Sequence, residues 1–290
     1  MIESFLASWD LFGTTYLVGL LVAAVLSLVG VWIVARDHIF LGAAVAQAST
    51  LGVALALWLG GSAAAARIHF LETDAAPTAL AVLASVATAW LAARVGEGRS
   101  ESHEAVTGWV FLLAGSVPVL MLARSPHGLE EIQRLLFSTL LSASQADLAR
   151  FLLLGAGTVA ASIVARERLL LFTLDPDMAV AVGMRSRTWS SAVAVWLGLA
   201  VGLSIRSAGT LYTFGCLVLP PLIAKNLCRE VRPMLWVAPA LAVGAALAGF
   251  VLANGLDFPP AHTTVGLLSA GLPLAWAWRA LVRRPPAEGR

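Results

Sequence analysis

Apolar and polar residues do not alternate along this chain; they come in blocks. Windows of about 19 residues, roughly the length of a bilayer-crossing helix, fall on apolar stretches near 14–34, 41–60, 77–95, 106–124, 150–165, 189–205, 209–225, 234–253 and 263–282. The pattern predicts about nine spans, and 41–60 and 209–225 are the ones open to being short or broken. Polar residues collect mainly at 61–76, 96–104, 125–149 and 166–188. Gly or Pro marks many of the joins: Gly60-Gly61, Pro77, Gly96 and Gly98, Pro126, Pro176, Pro233 and Pro259-Pro260. No stretch is left over for a separate soluble domain, so residues 1–290 read as a single transmembrane unit.

Composition agrees. The chain is 59% hydrophobic and 12% charged, with a mean hydropathy of +0.85, whereas a soluble globular domain carries about 25% charge. The fold class is therefore all-α, a polytopic transmembrane helix bundle. Charge then sets its orientation. With nine spans, 14 of the basic residues fall on the connections at 35–41, 95–105, 166–188, 225–233 and the C-terminal tail or, as Arg94 and Arg279 do, at the span ends beside them, against 5 on the other side. The positive-inside bias places the first set in the cytoplasm, with the N-terminus outside and the C-terminus inside. The opening MIESFLASWD lacks a basic n-region and does not read as a cleaved signal peptide. Basic residues confined to short loops give no nucleic-acid signature.

Little in the chain reads as catalysis. There is no GxxxxGK[ST] loop, no G-x-S-x-G elbow and no HExxH. His38, His69, His103, His127 and His262 are scattered over loops and membrane ends, where solvated or interfacial roles suffice. Cys216 and Cys228 read as thiols without a disulfide or metal-finger spacing. The chain is expected to be no enzyme and to hold no metal site and no cofactor of its own.

Two segments depart from the apolar background. In GAAVAQASTLGVALALWLG (42–60), Gln47, Ser49 and Thr50 need hydrogen-bond partners. An unsatisfied amide in hydrocarbon costs about 2–7 kcal/mol, so these side chains either line an aqueous path or act as polar glue between helices. Pro220-Pro221 is expected to break the seventh span near its inner end, since proline frees backbone carbonyls that only a neighbour or a cavity can satisfy. Asp257 and His262 flank Pro259-Pro260 in an outer connection, as part of either a gate or a plain polar turn. The other segment, LLLFTLDPDMAVAVGMRSRTWSS (169–191), lies in the most basic connection. There Asp175 can cap a short helix over 175–185, with Pro176 at its first position. Met178, Ala179 and Val182 supply an apolar stripe, and Gly183 a terminator. Such a helix serves either as a docking surface or as an interfacial anchor.

At this point the chain resembles a known family. LDPDMAVAVGM looks like the D-P-x-x-A-x-x-x-G segment of ATP-binding-cassette permeases that import zinc, manganese or iron(II). GAAVAQASTLGVALA, RLLFSTLLSASQADL (134–148), SAGTLYTFGCLVLPPLIAKNL (207–227) and LDFPPAHTTV (256–265) resemble further segments of that family, in order. The resemblance implies a permease subunit in the inner or plasma membrane of a prokaryote, paired with a second copy or a paralogous permease. It implies a cytoplasmic ABC ATPase that hydrolyses ATP and pushes on 175–185 as a coupling helix, and an extracytoplasmic substrate-binding protein that delivers the solute. Membrane lipid is a further expected partner, and nucleic acid is not expected to be one.

The resemblance also exposes a departure. The family carries Asp and His four residues apart on the second helix, where i, i+4 spacing stacks both on one face and suits a divalent transition metal. Here those positions are Ala43 and Gln47, and Leu51 replaces an expected Pro. The translocation path is nonetheless expected along Ala43, Gln47, Ser49, Thr50 and Pro220. Three accounts stay open: pairing with a ligand-bearing permease, weak passage of metal by Gln47 and main-chain carbonyls, or a different cargo such as a chelated metal or small solute. An ion-gradient transporter would instead place ionisable residues mid-membrane and show an inverted repeat, and neither is seen. A non-transporting scaffold would have no need of the Asp175–Gly183 surface.

Overall fold

A computed structural model describes residues 5–6, 8–60, 73, 75–95, 103–123, 130 and 143–282. The stretch 134–142 of the RLLFSTLLSASQADL motif, Gly61, Gly96, Gly98, Pro126, His69 and His127 lie outside the described residues, as do Arg67, Arg99, Arg124, Arg134 and the C-terminal arginines from Arg283 on.

Every regular element among the described residues is a helix. In chain order they are α1 (Trp9–Ala35), α2 (Ile39–Gly60), α3 (Ala75–Val95), α4 (His103–Leu122), α5 (Gln145–Val164), α6 (Arg166–Leu174), α7 (Pro176–Ala181), α8 (Ser186–Leu227), α9 (Val231–Leu256) and α10 (Pro260–Val282). Eight of them are long and apolar enough to cross a membrane, the exceptions being α6 and α7. All nine expected stretches fall on these eight helices, because 189–205 and 209–225 share α8.

Helix α8 has 42 residues. Straight, it would reach ~63 Å, about twice the ~30 Å hydrocarbon layer. It is not straight. Gly209 leaves helical geometry at φ 77° and ψ 166°, a region essentially reserved for glycine. Neighbours on either side show what the corner does. Before it, Ser85 Oγ donates to the Gly198 carbonyl at 2.8 Å and Arg206 Nη1 donates to Thr78 Oγ1 at 3.1 Å, so α8 runs antiparallel to α3. After it, Tyr212 OH donates to the Gly19 carbonyl and Lys225 Nζ pairs with Asp37, so α8 runs alongside α1 toward its C-terminal end. Trp189, near the start of α8, shares a cavity wall with Trp32 at that same end of α1. Both ends of α8 therefore lie at one end of the bundle, and the helix makes two passes.

The break expected at Pro220-Pro221 is absent: both prolines are buried inside a continuous helical stretch. Each removes one N–H and so frees a carbonyl one turn earlier, Cys216 O and Leu217 O. The Leu217 carbonyl lies tight against Gly30 of α1, where any Cβ would overlap it. Close packing on a glycine keeps the helix in line, and the chain turns instead where glycine conformation permits, at Gly209.

Helices α1 and α8 form the centre. Val18, Val22 and Leu26 of α1 are buried with Leu197, Val201, Ile205, Tyr212 and Leu217 of α8. Ala242, Ala246 and Phe250 of α9 extend this core. Helix α4 packs mainly on α2, through Ala44, Ala48, Val110 and Ala114. In lipid such contacts gain from van der Waals fit and close backbone approach rather than from expelled water.

Candidate functional site

Helix α2 turns three faces into the bundle and leaves one partly open. Ala43, Gln47, Leu51 and Leu55 recur every fourth residue and are each half-buried, while most of the positions between them are buried. Gln47 thus stands on the same open stripe as Ala43, as their spacing requires. Its amide finds no hydrogen-bond partner among the described residues. Ser49 and Thr50 point elsewhere. Thr50 is buried, its Oγ1 3.3 Å from the Ala46 carbonyl and 3.4 Å from Thr210 Oγ1 on α8. Ser49 is fully buried, and its Oγ has no partner among the described residues; Thr213 Oγ1 on α8 is in the same condition. The polar cluster of 42–60 therefore divides: Gln47 on the open stripe, Ser49 and Thr50 in the contacts between helices.

The second pass of α8 borders this region. Phe214 and Leu217 lie against Gly42, and Thr210 meets Thr50, which sets this pass antiparallel to α2. Thr210 and Phe214 are half-buried and Leu211 is 39% exposed. Sequence reasoning passed over these three, because nothing in their spacing separates an open face from a packed one. Pro220 is buried and away from any open surface.

The other expected site is the helix after Leu174. Asp175 Oδ1 accepts from the Met178 N–H at 2.9 Å, with Pro176 at the first helical position. At the far end the Met184 N–H donates to the Ala179 carbonyl and the Gly183 N–H to the Val180 carbonyl, both at 2.9 Å. That pair of bonds is a Schellman closure, with Gly183 at φ 84°. The capping residues Asp175 and Gly183 are those the sequence suggests, but the helix between them is Pro176–Ala181, shorter than the expected 175–185. Sequence and structure differ also on its faces. Ala179 is buried, but Met178 and Val182 point outward at 51% and 56% exposure. Leu174 and Val180, which the sequence reading did not single out, are exposed beside them. The result is an apolar tip, a surface that usually marks an interaction site.

Behind the tip the element is braced. Leu169, Leu170, Phe172 and Thr173 of α6 are buried, and the Arg36 guanidinium lies 4.2 Å from the centre of the Phe172 ring. Glu167 accepts from Arg232 of α9 at 3.1 Å. Arg279 of α10 donates to Asn226 Oδ1 at the end of α8. Each exposed pair adds little stability alone, but together they join α6, α8, α9 and α10 at one end of the bundle. Only Val182–Arg185 separates α7 from the first pass of α8.

Asp257, in the left-handed region at φ 56°, joins Asn254, Thr15 and Tyr16 around a cavity of about 250 Å³ at the opposite end. Cys216 and Cys228 form no disulfide. Among the described residues no group of three or more His, Cys, Asp or Glu comes together.

Comparison with known proteins follows this architecture. Residues 8–278 match the model of the ABC 3 transport family. The manganese transport system membrane protein MntB of Synechocystis sp. is 26% identical over 58% of this chain, a match that spans only about half, 54%, of that protein. The chelated iron transport system membrane protein YfeD of Yersinia pestis is 22% identical over 80% of this chain and 73% of its own length. The solved structure of PsaBC from Streptococcus pneumoniae in complex with Fab superimposes with a TM-score of 0.79, covering 95% of each chain at 17% identity, and so shares the fold.

Proposed function

The chain belongs to the ABC 3 transport family, and from that membership we propose that it is the membrane-spanning permease subunit of an ATP-driven importer for a divalent metal ion, zinc, manganese or iron. The observation that carries this reading is α7: a helix capped at both ends, with an apolar tip of Leu174, Met178, Val180 and Val182, on a chain that has no nucleotide-binding loop of its own. A separate ATPase docking on that tip supplies the work. Force on α7 enters the first pass of α8 through Val182–Arg185 and, through the buried face of α6, the ends of α1 and α9. The basic residues of 166–188 and 225–233 put this end in the cytoplasm, with the N-terminus outside, in a prokaryotic cell membrane.

A second permease subunit covers the open stripe of α2, and the path runs where Ala43 and Gln47 meet it. The unpartnered, half-buried amide of Gln47 supports an aqueous surface there, because hydrocarbon would leave its polar groups unsatisfied. Thr50 serves instead as a contact between α2 and α8, and Ser49 is buried off the stripe. Alanine offers a metal nothing, and a neutral amide oxygen is a weak ligand. The stripe therefore lets its cargo pass and does not hold it; specificity resides in a paralogous partner permease or in the extracytoplasmic binding protein. A chelated metal is the second reading, favoured by the same neutral stripe. Both are tested by purifying the chain with its ATPase and binding protein and measuring ATP hydrolysis against free zinc, manganese and iron(II) and against their chelates. Stimulation by one free ion is expected; stimulation by a chelate alone selects the second reading, and indifference to every metal species overturns both.

A further inference from the structure

Helices α1, α5 and α6 and the first pass of α8 line a partly open apolar cavity of about 160 Å³. Its wall includes Val29, Trp32, Ala161, Leu169, Trp189 and Trp196. Small side chains on α5 and three indoles around it leave the space open. Thr158 also lines it, but its hydroxyl donates to the Leu154 carbonyl at 2.7 Å and accepts from Trp196 Nε1 at 3.0 Å, so both its polar functions are used. Apolar walls of this kind favour an apolar occupant over water, as an engineered apolar void of about 150 Å³ takes up benzene. In a bilayer the apolar group at hand is an acyl chain.

Beyond Trp189 the cavity adjoins a wider groove of about 580 Å³, lined by Glu167, Arg168, Arg185, Thr188 and Trp189. Glu167 is turned toward Arg232 on α9 and bonds it through both carboxylate oxygens. Arg168 and Arg185 form no ion pair among the described residues. The groove therefore presents two uncompensated guanidinium groups and a hydroxyl directly above an apolar slot. Guanidinium groups bind phosphate oxygens in paired geometry, indoles settle at headgroup depth, and basic pockets between spanning helices hold anionic headgroups. A cytoplasmic protein could fill the groove but not the slot, since Val29 and Trp196 lie inside the spanning helices.

We propose that this composite site binds an anionic glycerophospholipid, with an acyl chain in the cavity and its phosphate on Arg168, Arg185 and Thr188. The lipid lies against α6 and against Val182–Met184, which also line the groove, so it braces the link between α7 and α8. The assignment to the cytoplasmic leaflet rests on the orientation proposed above; the binding itself does not.

The test uses the full chain in nanodiscs of phosphatidylcholine and phosphatidylglycerol at equal molar ratio, with retained lipid measured by native mass spectrometry and without metal or ATP, so that it is independent of the importer reading. About 1 kcal/mol per basic residue predicts a preference for phosphatidylglycerol of roughly tenfold or more in the wild type. The preference should vanish in Arg168→Ala/Arg185→Ala and persist in Arg168→Lys/Arg185→Lys. Ala161→Leu, which fills the slot, should lower retention of both lipids. Equal retention of the two lipids by the wild type, or a preference unchanged in the double alanine variant, overturns the proposal. Loss of retention with a second copy of the chain over the cavity would do the same, since the slot would then be a subunit contact.

Discussion

Gln47 and Ser49 stand two residues apart and meet opposite surroundings. Gln47 is half-buried on the open stripe of α2, and Ser49 is sealed between helices. The separation comes from the 3.6-residue period, which puts Gln47 over Ala43 and Ser49 on another face. If the Ala43–Gln47 stripe meets the cargo, restoring a carboxylate and an imidazole there should create a metal site. Ala43→Asp with Gln47→His should raise zinc or manganese affinity at least tenfold by isothermal titration, while Ser49→Asp, which buries a charge, should only destabilise the chain. No gain in affinity from the double substitution would remove α2 from the path. Both the i, i+4 pairing and the absent ligands are legible in the sequence. The burial of Ser49 and Thr50 is not, because in lipid an apolar neighbour and an apolar solvent look alike.

Among the elements, α7 and α8 are legible in the sequence to different degrees. The capping of α7 is local, written in Asp175, Pro176 and Gly183, and local signals survive tertiary packing. Which side of α7 is covered depends on tertiary packing, and that splits the expected stripe, burying Ala179 and leaving Met178 and Val182 exposed. Met178→Asp with Val182→Asp alters only exposed positions and should leave folding stability within about 0.5 kcal/mol. It should nevertheless weaken association with the ATPase at least tenfold in a pull-down titration, the scale of an interface hot spot. Undiminished association would show that the apolar tip is not where the ATPase docks. In α8 the local signal misleads. Two consecutive prolines suggest a break, yet the helix runs through them because each costs one hydrogen bond and Gly30 gives the exposed carbonyl close cover. The corner falls at Gly209, at the join between the expected spans 189–205 and 209–225, where glycine alone allows the backbone to turn.

For the whole molecule, the charge asymmetry that orients the chain can be tested through the two cysteines. Cys216 is fully buried, and Cys228 is half-buried at the end of α8 beside the basic turn at 229–232. A membrane-impermeant maleimide should label Cys228 in inverted vesicles and not in intact cells, and should leave Cys216 untouched in both. Burial raises the Cys228 thiol above its ordinary range, so less reactive thiolate is present at neutral pH and labelling should accelerate as pH rises. Labelling from the cell exterior would invert the topology and move α7 away from any cytoplasmic engine.

The places of the spanning segments, the ends on which basic residues gather, the caps of the helix after Leu174 and the family likeness are all legible along the chain. The spans and the charge follow from composition and spacing along the chain, the capped helix from its terminal residues, and the family from the likeness of its motifs. Only packing settles the face of α2 left open, the straight run through Pro220-Pro221, the outward turn of Met178 and Val182, and the apolar slot under Arg168 and Arg185. The reason is physical. In a membrane protein the buried and the lipid-facing sides of a helix are both apolar, so their difference arises only when one helix packs against another.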